Sequence, residues 1–519
     1  MKQHGILLTI LGVGTQLSHH VNAASRYMDT TAGNKKRLNE DTMSPALKGM
    51  EYAVRGKVVI AADKINEELT AGTKEYPFDH IVYTNIGNPH SVGQKPLTWP
   101  RQVMALVDLP DEVGVDHPDV EKLFPADAIR RAREIKQGLG GSGSGAYSHS
   151  QGVKLFRDDV AKFIQERDGG VPADAENIFL TNGASDGIKN VLTALVANPT
   201  CGVMIPIPQY PLYSATLDLL QGKKVGYFLD EKKNWDLNMQ ELERSLLEAK
   251  RDGVNVVGLV LINPGNPTGQ VLSKKAVQGV VQFCAKHKLV LMADEVYQEN
   301  VYDENCEFYS AKRAASDTGL LQNDEIELVS FHSTSKGVFG ECGRRGGYME
   351  LVGFDEKVKE HLYKLASSCL CSTVSGQIMT SLMARGPDPG DESYDSHEAE
   401  KAAVFQSLKK RAKIVGDGLN SIPGFSCQPA QGAMYCFPRV ELPEGAVKEA
   451  NANGQAPDTM YAISLLQRTG VCVVPASGFG QEPGRFGFRT TFLPSEEEMA
   501  RSVDLIRQHH EEFCSKYSN

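Results

Sequence analysis

The chain has 519 residues, 41% hydrophobic and 23% charged, with a formal net charge of −10. That length exceeds one ordinary hydrophobic core and predicts two domains of a soluble, globular kind. The acidic balance and the lack of a Lys/Arg-rich run argue against a nucleic-acid surface, because binding to phosphate backbones rests on clustered cations.

In chain order, the opening residues up to Met28 carry no Asp or Glu, and their apolar stretch Ile6–Val13 is too short to cross a bilayer. Val21-Asn22-Ala23 is faintly like a secretory signal, whereas the missing acids and Arg26 suit an organelle transit peptide. Residues 1–37 are therefore taken as a leader or disordered segment, and the compartment as cytosol or mitochondrial matrix. Ten cysteines, scattered and without a CxxC pair or a histidine at ligand spacing, fit a reducing compartment and predict no metal site.

Apolar residues at helical spacing predict a helix within 51–70, followed by a turn into Ile81-Val82-Tyr83. The Gly/Ser stretch 138–145 is expected to be mobile when no ligand is bound, and it immediately precedes Tyr147. From Ile178 on, short apolar runs alternate with amphipathic helices: 178–180, 202–207, 225–229, 256–262, 289–292, 326–331 and 348–352. This predicts an α/β fold with a mostly parallel seven-stranded sheet buried on both faces, whose ligands sit outside the carboxyl ends of the strands. The segment Ala384–Glu398 is expected to be a surface connection and 446–457 a flexible insertion. Helices from His397 and near Thr459, apolar runs at 434–437 and 471–474, and a terminal helix after Pro494 outline a smaller α+β domain. The division read from this is 38–140, an N-terminal arm and part of the small domain; 141–385, the large domain; and 386–519, the rest of the small domain.

Four blocks carry chemistry: Asn-Pro-Gly-Asn-Pro-Thr-Gly at 263–269, Ala-Asp-Glu-Val-Tyr at 293–297, Ser-Thr-Ser-Lys-Gly at 333–337 and Phe-Arg-Thr at 488–490. The first three fall at predicted strand ends. Together they supply the groups that a pyridoxal 5′-phosphate site needs. Lys336, in a Ser/Thr/Gly turn after an apolar strand, can form a Schiff base with an aldehyde cofactor. Asp294, directly after Leu289–Met292, would be a costly buried charge unless it faces a cation such as a protonated ring nitrogen; the bland alternative is an N-cap at a strand-to-helix turn. Tyr297, expected in the first helical turn after it, and Asn266 can both donate to a ring phenolate oxygen. Gly183-Ala184-Ser185-Asp186 follows a strand and opens a helix, so Ala184, Ser185 and Asp186 offer an anion the positive end of the dipole. Ser333, Ser335 and an arginine would complete that cup. Arg344 and Arg345 are adjacent, and Arg345 is chosen because it stands three residues before Tyr348. Tyr210 can stack on a pyridine ring, with core packing the alternative. Arg489 in an apolar strand suits bidentate binding of a carboxylate, with a structural ion pair the alternative.

These residues resemble the aspartate-aminotransferase superfamily of class I/II, fold type I pyridoxal-phosphate enzymes, and within it the alanine aminotransferases. Supporting stretches include Tyr-Ala-Val-Arg-Gly at 52–56, Asn-Ile-Gly-Asn-Pro at 85–89, Gly-Ala-Tyr-Ser-His-Ser-Gln-Gly at 145–152, Gly-Glu-Cys-Gly at 340–343 and Gly-Asp-Glu-Ser-Tyr at 390–394. The resemblance implies a small domain built from both chain ends, and a Lys336 that holds the cofactor and then moves the substrate α-proton. It implies that Gly87 and Arg489 frame the substrate carboxylate. It also implies a homodimer with active sites at its interface, where Tyr147 reaches the phosphate of the neighbouring subunit. The expected reaction is ping-pong transfer from L-alanine to 2-oxoglutarate, with amino acids and 2-oxo acids as the partners and neither nucleic acid nor membrane. Alternatives are a glutamate:glyoxylate aminotransferase, a lyase sharing Lys336 and Asp294, and a non-catalytic pyridoxal-phosphate regulator. Residues 1–50 are too short and insufficiently basic to supply the DNA-binding module of that last kind.

Overall fold

The computed structural model describes residues 36–52, 56–141 and 143–517. The leader expectation falls almost wholly outside them, as do Ala53–Arg55 of the Tyr-Ala-Val-Arg-Gly stretch and Ser142 of the glycine-rich one. The chain divides into two compact units, Met1–Gly49 and Met50–Asn519. In the first, a turn closed by the Thr42 hydroxyl on the Arg37 carbonyl (2.6 Å) precedes a short helix, Pro45–Gly49.

The second unit begins with the helix Lys57–Ala71 and a short strand, β1 (Val82–Tyr83), and later enters a seven-stranded sheet. Its strands are β2 (Ile178–Asn182), β3 (Cys201–Ile207), β4 (Lys223–Phe228), β5 (Asn255–Ile262), β6 (Val290–Asp294), β7 (Leu328–Ser333) and β8 (Gly346–Val352). They run in the order β2-β8-β7-β6-β5-β3-β4. Only β8 is antiparallel to its neighbours; the other pairings are parallel. Every residue of β6 and β7 is buried, which is why their sequences read as apolar runs rather than alternations.

The covering helices follow from caps and apolar stripes. In Lys274–His287 the Ser273 hydroxyl accepts the Ala276 N–H at 3.2 Å, and Val277, Val280, Val281 and Cys284 bury one face. The helix stops where Lys288 turns to φ 57°. Truncating Val280 or Val281, both fully buried, removes packed methyl groups and would cost about 1–3 kcal/mol.

From β3 the chain moves outward to β4, whereas from β5 it proceeds through β6 to β7 on the other side. The strand order thus reverses between β3 and β5, and a crevice opens at the carboxyl ends there. Beyond the sheet lie β9 (Phe425–Ser426), β10 (Tyr435–Cys436), β11 (Arg439–Val440), β12 (Val471–Cys472), β13 (Val474–Pro475) and β14 (Phe488–Thr491). β10, β14 and β13 form an antiparallel sheet. β1 pairs in parallel with β12, Val82 opposite Val471, so an N-terminal strand completes an α+β layer made largely of C-terminal chain.

Two local expectations fail. The stretch 446–457 is not an insertion without structure: Glu444–Ala452 is a helix that buries Ala446 and Ala450. Only two small side chains make its inner face, so a polar, Asn- and Gly-rich sequence hides it. The 384–398 segment is a connection only as far as Ser393, since the helix Tyr394–Asn420 starts there. Two of its acids are engaged: Asp391 pairs with Arg130 at 2.7 Å, and Glu392 accepts the Ala126 N–H at 3.0 Å at the start of Ala126–Gly138.

Candidate active site

A cavity of about 440 Å³ lies at the carboxyl ends of β5, β6 and β7 and is closed from the other side by β10 and β14. It gathers residues from all four sequence blocks. A second cavity of about 480 Å³, lined by Lys233, Lys274 and Arg313 among others, contains none of the predicted site residues.

Asp294 is the last residue of β6, level with Ile262 and Phe331 of the flanking strands. Its Oδ2 accepts the Tyr213 hydroxyl at 2.9 Å, while Oδ1 is buried and has no protein partner. Burial pushes this carboxyl up to about 6, against the smaller opposing effects of Tyr213, the Val296 N–H and Lys336. A buried acid with one idle oxygen is expensive unless a cationic donor arrives to meet it.

No helix follows Asp294, contrary to expectation. The chain makes a turn through 296–299, closed by the Asn300 N–H on the Tyr297 carbonyl at 2.8 Å, then bridges from Val301 to Gly432. Tyr297 sits in this turn. Its hydroxyl is 2.9 Å from that of Tyr435, and burial holds its pKa well above the usual phenol value.

Lys336 lies in the turn after β7, half-buried, with Nζ donating to the Gly87 carbonyl at 2.9 Å and 5.8 Å from the Tyr297 ring centre. A Cβ on Gly87 would come to 2.6 Å from both Lys336 Nζ and Tyr435 Oη, so any larger residue there would displace them.

The anion-binding end is built at Gly183, whose φ of 74° turns the chain from β2 into the helix Ala184–Leu195. Ala184 and Ser185 line the cavity at that N-terminus. Arg345 reaches across, its Nη2 donating to the Asn182 carbonyl at 2.8 Å and to Ser185 Oγ at 3.3 Å. A Cβ on Gly183 would sit 2.5 Å from that nitrogen. Ser333 and Ser335 face the same space, 2.8 Å apart through their hydroxyls. Arg345 lines the cavity and Arg344 does not. Asp186 also stays off the wall, because its Oδ2 accepts the Asn182 N–H at 3.1 Å.

Arg489, in β14, is 1% exposed. Nη1 donates to Asn266 Oδ1 at 3.1 Å and Nη2 to the Asn85 carbonyl. The guanidinium lies 4.3 Å from the Tyr435 ring centre and 4.8 Å from that of Phe479. With its oxygen committed to Arg489, Asn266 has only its amide hydrogens to offer a ligand. Tyr210 lines the cavity, hydroxyl to hydroxyl with Tyr52 at 2.8 Å. Tyr147 does not line it and is 77% exposed.

Among the residues of this site that were not singled out in the sequence are Tyr52, Tyr213, Cys342 and Tyr435. Tyr435 stood in the apolar run 434–437, and its one signal was a hydroxyl in a strand that otherwise reads as core. Tyr213 is three residues past Tyr210, which at the start of a helix puts it one turn deeper, under Asp294.

Residues 117–506 match the family described as aminotransferase class I and II. The chain belongs to that family. It is 49% identical over 489 residues to a probable mitochondrial alanine aminotransferase of Dictyostelium discoideum, covering 93% of this chain and 91% of that protein. It is 46% identical over 484 residues to glutamate–glyoxylate aminotransferase 1 of Arabidopsis thaliana, covering 93% and 98%. A crystal structure of an aminotransferase from Escherichia coli superposes with a TM-score of 0.70 at 25% identity, covering 91% of this chain and 98% of the other. In this aminotransferase the cavity's cations and its carboxylate are not paired with each other. Lys336, Arg345 and Arg489 all rest on carbonyl or amide oxygens.

Proposed function

We propose that the chain transfers the amino group of L-alanine to 2-oxoglutarate, giving pyruvate and L-glutamate, with pyridoxal 5′-phosphate bound through Lys336. The observation that carries this is the buried, partnerless Oδ1 of Asp294 on the wall of the cavity that also holds Lys336. The relatives named alanine aminotransferase support the choice of donor.

The residues fit the cofactor group by group. Asp294 would hold a protonated ring nitrogen, and Tyr297 and Asn266 the ring's phenolic oxygen. Tyr210 would face the ring. The N–H groups at Ala184 and Ser185, with Ser333, Ser335 and Arg345, would hold the phosphate. Asp186 would act at one remove, fixing Asn182, whose carbonyl positions Arg345. When bound, the cofactor supplies an electron-withdrawing ring that makes the α-proton of an amino acid removable. Arg489 and Gly87 would then fix the α-carboxylate, and the freed amine of Lys336 would take the α-proton and return it on the far side of the nitrogen. Because one amino acid leaves as its oxo acid before the other enters, the kinetics would be ping-pong.

We infer a homodimer with active sites at the interface, in which the exposed Tyr147 reaches the phosphate site of the partner subunit. We place the chain in the mitochondrial matrix or cytosol, in keeping with the mitochondrial names of two relatives.

The test is a matrix of alanine, aspartate and serine as donors, and of glutamate with glyoxylate, using purified protein. Alanine with 2-oxoglutarate turning over fastest is the expected result. A clear preference for glutamate with glyoxylate would transfer the assignment to the second reading, which the Arabidopsis relative favours. Pyruvate released without an acceptor would point to a lyase.

A further inference from the structure

Tyr435 enters the cavity from β10, opposite the strand ends that carry the four sequence blocks, and is fully enclosed at 2% exposure. Its hydroxyl has one described hydrogen-bond partner among neutral side chains, the hydroxyl of Tyr297 at 2.9 Å. The other polar groups beside it are cations: Lys336, whose Nζ shares with Tyr435 Oη the 2.6 Å shell around a Cβ on Gly87, and Arg489 above the ring face.

We propose that Tyr435 is a positioning residue of the amino-transfer site: its hydroxyl hydrogen, given to Tyr297 Oη, turns the Tyr297 hydrogen toward the phenolic oxygen of the cofactor and so sets the acidity of the lysine-bound cofactor. This rests on the reading of the cavity as a pyridoxal-phosphate site and names a residue that reading does not use.

Two phenols in contact own one hydrogen each, and one hydrogen lies between them. If Tyr297 gives its hydrogen to Tyr435, nothing is left for a ligand. If Tyr435 is the donor, the Tyr297 hydrogen is free to point into the cavity, and a donor that is itself receiving a hydrogen bond is a stronger one. Lys336 and Arg489 cannot accept, so Tyr435 has no other charged neighbour to take its hydrogen. The charges around the pair favour the same order. Lys336 and Arg489 make the Tyr435 phenol more acidic against its burial, whereas burial, Tyr435 and Asp294 make that of Tyr297 less acidic, opposed only by Arg489. Tyr210 is the remaining titratable neighbour of Tyr435 and is neutral, its pKa raised well above the ordinary value by burial.

A stronger bond to the phenolic oxygen favours its ionised form and the loss of the proton shared with the lysine nitrogen. The experiment is a pH titration of the visible absorbance of purified protein loaded with pyridoxal phosphate, for wild type, Y435F, Y297F and the double variant. Y435F keeps the ring under Arg489 and removes only the hydroxyl. It should raise the titration midpoint by about 0.5–1 unit, roughly three- to tenfold in proton affinity. In the Y297F background Y435F should add nothing. A 3,5-difluorotyrosine at 435, a stronger acid of similar size, should move the midpoint down. A band in wild type that titrates identically in Y435F, or an equal Y435F shift with and without Tyr297, overturns the inference alone. A wild-type protein with no visible, lysine-dependent band overturns the cofactor reading itself.

Discussion

Two clusters of buried charge lie on opposite sides of the end of β6, and adjacent residues head them. Asp294 faces the cavity; Glu295 faces away, among Arg167, Asp168, Lys312, Glu350 and His332. In the rear cluster opposite charges meet. Arg167 forks onto Asp168 at 2.7–2.8 Å and lies 3.5 Å from Glu295, Lys312 pairs with Glu350, and Glu295 also accepts the Ala311 N–H at 2.8 Å. In the front cluster no carboxylate is paired with Lys336, Arg345 or Arg489 among the described residues. The rear carboxylates have opposite charges beside them even where Glu295 Oε2 and Glu350 Oε2 make no hydrogen bond, whereas the front carboxylate has no cation paired with it among the described residues. A buried oxygen without a hydrogen bond is therefore no sign of function by itself; what sets Asp294 apart is that it lacks a paired cation and lies on the wall of a cavity.

Removing one amine from each side tests the difference between the clusters most directly. Lys336→Ala should abolish the visible band of the loaded protein and lower kcat on the order of 10³-fold or more, while its unfolding midpoint in urea stays near wild type. Lys312→Met should do the reverse. Leaving Glu350 buried without its cation should cost about 3–5 kcal/mol of stability, read from urea unfolding, and pairing it with Glu350→Leu should recover most of the loss. If Lys312→Met instead left stability intact and altered only turnover, the division between the clusters would be wrong.

Smaller effects sharpen it. Arg489→Leu should lower kcat/KM for alanine by about 10²-fold, the worth of a charge-assisted carboxylate contact, mostly through KM; an unchanged KM would remove Arg489 from substrate binding. Asp294→Asn should stabilise the cofactor-free protein. The Asp294 carboxyl titrates near 6 in the folded state against an ordinary 3.8, so between those values the folded state holds more protons than the unfolded one. Stability from this group is present below about pH 4 and falls as pH rises through 6. The asparagine lacks that slope and should gain up to about 1–3 kcal/mol at pH 7 over wild type, shown by thermal unfolding at pH 4 and pH 7. Equal pH slopes in the two proteins would mean that Oδ1 is satisfied after all.

The central strands of the large sheet were legible because strands covered on both faces are apolar from end to end, while the edge strand β4 showed only in its apolar second half, and the turns after β5, β6 and β7 announce themselves by residues no core would keep. Lys336, Asp294, Asn266 and Arg345 were readable for that reason. The helix expected after Asp294 was not there, because the pattern after a strand does not reveal whether the chain coils or crosses to Gly432. Glu444–Ala452 was missed because two alanines are too little apolar surface to show a period.

Residue order dictates the inventory: which groups stand at strand ends, and in what succession. Which of them meet follows from the packing of the folded chain. Tyr435 and Arg489 come from strands of two and four residues, too short to carry a pattern. Their place on one cavity wall with Lys336 depends on β1, β10, β12 and β14 joining distant parts of the chain. Periodicity records how deeply a residue is buried; the partner it is buried against is set by packing between segments hundreds of residues apart.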